Sequence, residues 1–250
     1  MGALPLTADS AGQGGGIRFW IALALMVAAA ALVRAVVSGQ WQAAYPWAEH
    51  PPIDGTAYNA WAHRILDGRG DEGGVFFQAP LYAYLLAGLH HLTGGSLVAV
   101  RLAQMGLGLG IGVLAAAMGR SVAGPRAGLL AGGLTLFSAP LMLQEQAVLK
   151  TTCTVAALLG AAWAYSTHRR LLTGLGLGTA LLLQGNAALA VLAVLVCQGL
   201  QGPGRLRRWA PLVCGLALIL VPVLVRNRVV GGEWVVTTSQ AGTNLYGGNS

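Results

Sequence analysis

"APLYAYLLAGLHHL", residues 79–92, is the stretch on which the topology of this chain turns. It is apolar, opens at Pro80 and closes on His90 and His91. As a helix it would be about 21 Å long at about 1.5 Å per residue, short of the roughly 30 Å hydrocarbon core of a bilayer. Whether it crosses decides the side of every loop that follows.

The surrounding composition makes the question a membrane question. The chain has 250 residues, of which 55% are hydrophobic and 9% charged, with a mean hydropathy of +0.64. Soluble domains carry about 25% charged residues. The pattern is that of an all-α polytopic membrane protein. Beyond 79–92, apolar segments run over 17–37, 97–118, 127–143, 148–165, 171–183, 187–200 and 211–225. The net charge is +7, with Lys150 as the single lysine. On a soluble protein this excess would suggest nucleic acid. Here the cations lie between apolar runs and read as topology signals, so no nucleic-acid partner is expected. Cys153, Cys197 and Cys214 lie inside apolar runs without metal or redox spacing and read as small core residues.

Cytoplasmic loops collect Lys and Arg. If 79–92 stays on one side, Arg18, Arg120, Arg126, Arg169, Arg170, Arg205, Arg207 and Arg208 share the cytoplasmic face. Glu145 and Glu233 then join the acidic first loop on the outer face. If 79–92 crosses, the Arg-rich turns after it move outside. The first arrangement is the expected one, with 79–92 lying in or dipping into the outer interface. The run 171–200 would be about 45 Å long as one helix, and Gln184-Gly185-Asn186 divides it into two. About seven spans result.

The expected organisation is a disordered cytoplasmic N-terminus over 1–16 and a transmembrane domain over 17–228. That domain has a large outer loop at 39–96. An outer segment begins at 229–250, where the chain looks cut from a longer protein. "EWVVTT", residues 233–238, alternates in strand fashion. "GLGLGIG" (106–112) and "GLGLG" (174–178) superficially match nucleotide loops. Neither follows a strand, and close helix packing through small residues is the expected role.

Five of the eight acidic residues fall between Glu49 and Glu72. In "DGTAYNAWAHRIL" (54–66), Tyr58, Trp61, Ala62 and Ile65 recur at helical spacing, an amphipathic surface helix with Asp54 at a cap position. Asp67, Asp71 and Glu72 read as solvated loop residues. Asp54 and Glu145 fall on one face of the bilayer in this topology. Two carboxylates with cations nearby could activate a hydroxyl and hold a phosphate. Arg101, Lys150, Arg226 and Arg228 also lie near that boundary, where snorkelling is the plainer role.

"DGTAYNAWAHRILDGRG" (54–70) followed by "FFQAPLYAYLLAGLHHLTGGSLVAVRLAQ" (76–104) resembles the first outer loop of the polyprenyl-phosphate-sugar glycosyltransferases of the GT-C superfamily, in particular bacterial relatives of protein O-mannosyltransferases and aminoarabinose transferases. The resemblance continues through "QEQAVLKTT" (144–152), "GLGLGTALLLQGNAALAVL" (174–192) and "VRNRVVGGEWVVTTSQAGTNLYGGN" (225–249). It covers nearly all of the chain after Arg18, carried by the order and spacing of motifs rather than by one of them. It implies a catalytic acid at Asp54, with Glu145 as a possible second acid. Arg101 and Lys150 become candidates for the donor phosphate. Tyr58, Gln78 and Tyr82 become candidates for lining the site. Many members have Asp-Glu where this chain has Asp54-Gly55, and many have Arg or Lys where it has Gln184.

The function so implied is inverting transfer of a sugar from a polyprenyl-phosphate donor to a protein or glycolipid acceptor at the outer face of a bacterial inner membrane. No cofactor is required. Some superfamily members use a divalent metal, but nothing here has metal-ligand spacing. The rival from another class is a transporter or lipid flippase, whose marks are charges within spans and inverted repeats. A scaffold subunit is a third reading and leaves the acidic outer loop without a role.

Overall fold

The computed structural model describes residues 12–45, 51, 54–70, 73–199 and 205–240. Among them the secondary structure is helical throughout, without a strand. The elements are α1 (Gly12–Ala44), α2 (Asp54–Leu66), α3 (Pro80–Thr93), α4 (Leu97–Leu136), α5 (Ala139–Gln146), α6 (Thr151–Ser166), α7 (Arg170–Leu183), a single 3-10 turn (Gly185–Ala187), α8 (Ala188–Gly199) and α9 (Arg205–Gly231). Gly16–Ala44, Leu97–Leu136 and Trp209–Gly231 are long and apolar enough to cross a membrane.

The helical stretch α4 is two arms. It breaks at Ala123 and Gly124, where Gly124 takes φ 83° and ψ −178°, and Pro125 opens the second arm. A glycine meets this φ without a Cβ clash, and Pro is at home in the first turn of a helix. The arms fold back on each other. A Cβ on Gly128 would lie 2.6 Å from Ala116 O, and one on Gly112 would lie 2.5 Å from the Leu136 side chain. The sequence division into 97–118 and 127–143 corresponds to this hairpin.

Contacts fix the direction of several helices. The Arg120 guanidinium lies 4.6 Å over the Phe19 ring, so the hairpin turn sits beside the start of α1. Arg34, further along α1, reaches Leu136 O at the far end of the second arm and Glu145 in α5. On the other side of the bundle, Gly174 abuts Leu212 and Gly178 abuts Ile219, so α7 and α9 run parallel in contact. The two glycine motifs pack helices, as their composition suggests. Their faces are unequal, since Gly106 and Gly110 meet nothing within 4 Å while Gly108 and Gly112 are closed in.

α2 and α3 pack on each other at one end of the bundle, termed the loop end, through Tyr58, Ala62, Tyr82, Ala83 and Leu86. Segment 79–92 is thus a helix, Pro80–Thr93, closed by Gly94 in the left-handed conformation. Three features depart from the sequence reading. α1 starts at Gly12, inside the stretch read as disordered, while residues 1–11 lie outside the described residues, as do Glu49, Asp71, Glu72 and 241–250. Residues 233–238 form no strand; they are held as a bent segment by Asn227 Nδ2, which donates to Val235 O at 2.8 Å and Thr237 O at 3.2 Å. Cys197 and Cys214 are exposed on helix surfaces rather than in the core, and Cys153 is half-buried.

The fastening between α1 and α5 is a fully buried ion pair. Arg34 Nε donates to Glu145 Oε2 at 2.9 Å and Nη2 donates to Oε1 at 3.0 Å, with both side chains 0% exposed. Arg34 Nη1 donates to Leu136 O at 2.6 Å. Gly108 makes the room, since a Cβ there would fall 1.8 Å from Glu145 Oε1. Removing one partner of a buried pair costs about 3–5 kcal/mol, whereas replacing both by apolar residues is often neutral. Glu145→Ala is therefore expected to lower the thermal unfolding midpoint in detergent sharply. Arg34→Met combined with Glu145→Leu should recover most of that loss, and equal losses in single and double variants would refute this role.

Candidate functional site

The connection between α5 and α6 is pinned on several sides. Arg101 Nε donates to Gln146 O at 3.1 Å, and Gln104 Nε2 donates to Leu149 O at 2.9 Å and to Tyr82 OH at 2.8 Å. Between them Val148 sits fully buried with φ 54°, a left-handed conformation that is costly for a β-branched residue. This turn delivers Lys150 to the loop end, where Nζ donates to Tyr58 OH at 3.0 Å.

α2 approaches the same turn through Gly55. A Cβ on Gly55 would lie 2.7 Å from Pro51 Cβ and 2.9 Å from Ala147 O. No side chain fits there without moving backbone, so a second acid beside Asp54 is excluded by the packing of this chain. The close approach brings Asp54 to Lys150. Both line one cavity of about 590 Å3, together with Gln184, Asn186, Thr237 and Thr238. Asp54 is exposed, in the first turn of α2. A carboxylate there is favoured by the helix dipole and leaves an edge open to solvent. Tyr58 is buried, and burial first and the Asp54 charge second push its phenol up to about 12. It is a neutral hydroxyl at physiological pH and can accept from the Lys150 ammonium.

The sequence candidates thus divide. Asp54, Lys150 and Tyr58 come together. Tyr82 stands behind Tyr58, ring edge to face at 5.1 Å, and burial pushes its phenol up as well. Gln78 lines a different cavity. Arg101 is 2% exposed and serves the α4–α5 contact. Glu145 is held by Arg34, so it is occupied as an ion-pair partner rather than presented to the cavity. Among the described residues no three His, Cys, Asp or Glu side chains gather in metal-binding range, and Asp54 is the one carboxylate in the cavity wall.

Four contributors escaped the sequence reading. Arg34 lies within an apolar run, and an ionisable residue there signals a buried partner. Asn186 and Thr237 have ordinary loop surroundings and give no such signal. Asn227 closes the site from the far end of the chain. Its Oδ1 accepts from Phe76 N at 3.1 Å, and Ser239 N donates to Phe76 O at 2.9 Å. Gly231 allows this contact, since its Cβ would meet Val75 N at 2.4 Å.

Compared with protein-family models, with characterised proteins and with solved structures, the chain finds no match.

The role of Gly55 is open to a direct check. Gly55→Leu should cost about 1–3 kcal/mol by overpacking, read as a lower thermal midpoint. Gly185→Ala, on the other wall where nothing lies within 4 Å, should be nearly silent. Equal effects would mean that close approach at Gly55 is not what seats α2.

Proposed function

We propose that this chain is the membrane part of a glycosyltransferase that uses a polyprenyl-phosphate sugar donor, with its reaction site at the loop end. The observation that carries the reading is the single cavity joining Asp54 to Lys150, Gln184 and Asn186. Segments far apart in sequence converge there, and they are the segments whose motifs resemble the family.

The chemistry follows from the groups present. Asp54 takes the proton from an acceptor hydroxyl as its oxygen attacks the anomeric carbon. The bond from that carbon to the phosphate oxygen breaks with its electron pair, and the lipid phosphate leaves. Attack from the opposite face inverts the configuration. Lys150 neutralises the developing phosphate charge, and the Tyr58 hydroxyl keeps its ammonium aimed. Gln184 offers an amide donor where many members of the resembled family have a cation, and Asn186 lines the same cavity. A divalent metal is compatible with the family, but Asp54 alone among the described wall residues is a hard anionic ligand.

The membrane arrangement proposed is about seven spans, with α2 and α3 along the outer interface and the N-terminus cytoplasmic. The parallel course of α7 and α9 supports it, as does the hairpin in α4 with Arg120 beside Phe19. α6, α7 and α8 have 16, 14 and 12 residues and are short for spans. Local thinning of the bilayer accommodates such lengths. A bacterial plasma membrane, with the site facing outward, fits the Arg distribution.

The helix break at Gln184–Asn186 and the Arg34–Glu145 pair favour a transporter, since broken helices and charges inside spans mark ion and substrate paths. The pair has its hydrogen bonds filled and lines neither the Asp54 cavity nor the cavity at Trp61. A fastening role suits it better.

Asp54→Asn separates base from cap, because Asn caps a helix about as well as Asp. Transfer activity should fall about 10²- to 10⁴-fold with an unchanged thermal midpoint. Full activity in Asp54→Asn would remove the mechanism. Lys150→Gln should raise the donor KM by about tenfold or more, the value of a charge-assisted phosphate contact. For topology, a cysteine at Arg120 should resist an impermeant reagent in intact cells, and one at Asn186 should react. The reverse pattern would invert the proposed orientation.

A further inference from the structure

Away from the Asp54 cavity, α2 and α3 meet a second time, through histidine. His90 of α3 is 1% exposed, and His63 of α2 lies stacked on its ring, with centroids 4.9 Å apart and 15° between the planes. His90 Nε2 lies 2.7 Å from Oδ1 of Asn59, which is one turn before His63 on α2. An amide oxygen only accepts, so Nε2 carries the ring proton and Nδ1 holds a lone pair. Nδ1 is buried and has no hydrogen-bond partner. The contact is thus built around a neutral His90. Burial first, and His63 second, hold the His90 imidazole below the ordinary histidine range.

α3 packs on α2, α4 and α7. On α2, Asp54 stands at the other end of the helix, about 13 Å from His63 along the axis. Arg64 follows His63, and Asp67, one turn further on, pairs with Arg69 at the surface. On α3, Tyr84 and His91 are exposed, and Tyr82 OH accepts from Gln104. Arg101 of α4 donates to Gln146 O, the Cys153 thiol of α6 lies near Tyr82, and Arg170 of α7 lies beside His168, at the opposite end of that helix from Leu183. A proton taken up at Nδ1 sets a charge in a place closed to water and directly beneath a second imidazole. We infer that the His63–His90 stack with Asn59 is an acid-released catch: a proton on His90 frees α2 from α3 and slackens the helix that bears Asp54 and Tyr58. α2 packs chiefly on α3, so this contact is a main hold on that helix. The sign follows from a folded value held low. The contact is whole above the ordinary histidine value of about 6.5 and is withdrawn as pH falls through it towards the lower folded one. In the proposed topology this end faces outward, where pH follows the surroundings. The release rests on these contacts alone; its effect on sugar transfer rests on the transferase reading.

The test is amide hydrogen exchange of the whole chain in lipid nanodiscs, read by mass spectrometry and corrected for the intrinsic pH dependence of exchange. Between about pH 7.5 and about pH 5, protection of the α2 amides should fall about tenfold or more, since each unit below the ordinary histidine value is worth up to tenfold. Protection in α1 should hold. His90→Gln keeps an amide donor for Asn59 and cannot be charged, so α2 should stay protected at both pH values. His63→Phe keeps the stacked ring without a second imidazole, and the midpoint of release should move to lower pH. Equal α2 protection at both pH values in the unaltered chain would overturn the inference. So would a full acid loss in folded His90→Gln. Unfolding midpoints identify folded variants; if His90→Gln does not fold, an unmoved midpoint in His63→Phe, altered at an exposed position, overturns it instead. Undecaprenyl phosphate binding at about pH 7.5 on the same samples reads the Asp54 cavity separately. Its absence alongside acid release of α2 would sink the transferase reading and sustain this one.

Discussion

The Arg34–Glu145 pair is the constraint on which the loop end depends. Two charges inside an apolar bundle are tolerable only when each fills the other's hydrogen-bonding sites, and here they do so in two-pronged fashion. The pair anchors the last turn of α5 to α1. From that anchor the chain has only a short connection before α6, and Arg101 and Gln104 take up the carbonyls of Gln146 and Leu149 on either side of Val148. Lys150 is therefore placed by groups that never touch the cavity it lines. Gly108 is part of the same device, because any larger residue would displace the carboxylate.

Much of the architecture was legible because hydropathy and arginine placement report directly on it. The hairpin in α4, the division at Gln184–Asn186 and the helical, terminal position of 79–92 each rest on lengths and charges that the sequence displays. The glycine motifs were legible in role but not in face. Gly108 and Gly112 pack while Gly106 and Gly110 stay open, and composition repeats identically at both pairs. The strand-like alternation of 233–238 misled for a physical reason. Alternation describes two-sided burial, and a bent segment gripped by Asn227 between the bundle and solvent produces the same pattern.

The site was legible in part, and the division follows chemistry. Asp54 and Lys150 stood out because acidic and basic residues are scarce in this chain. Scarcity alone also promoted Arg101 and Glu145, whose partners are a backbone carbonyl and Arg34. An ionisable residue near a membrane boundary has the same sequence appearance whether it faces a ligand or fastens two helices. Only the partner decides, and the partner of Glu145 is 111 residues away. Gly55 is the opposite case. Against the pattern of the family that the sequence resembles it looks like a missing acid, whereas in the fold it is what admits α2 to the Ala147–Val148 turn.

That turn also explains why a strained residue persists at its centre. A buried valine at φ 54° is held there against its own preference. The alternatives available to the chain are unfavourable in turn. An extended Val148 would swing Leu149 O away from Gln104 and would carry Lys150 off Tyr58. A glycine would relax the backbone but would empty a fully buried position in the cluster with Tyr58, Tyr82 and Leu183. The strain is confined to one residue, and the hydrogen bonds of Gln146 and Leu149 on both sides oppose its release. Strain of this kind, surrounded by hydrogen-bonded neighbours and two residues before the one lysine of the chain, is how this helical bundle places a cation in the same cavity wall as a carboxylate on a separate helix.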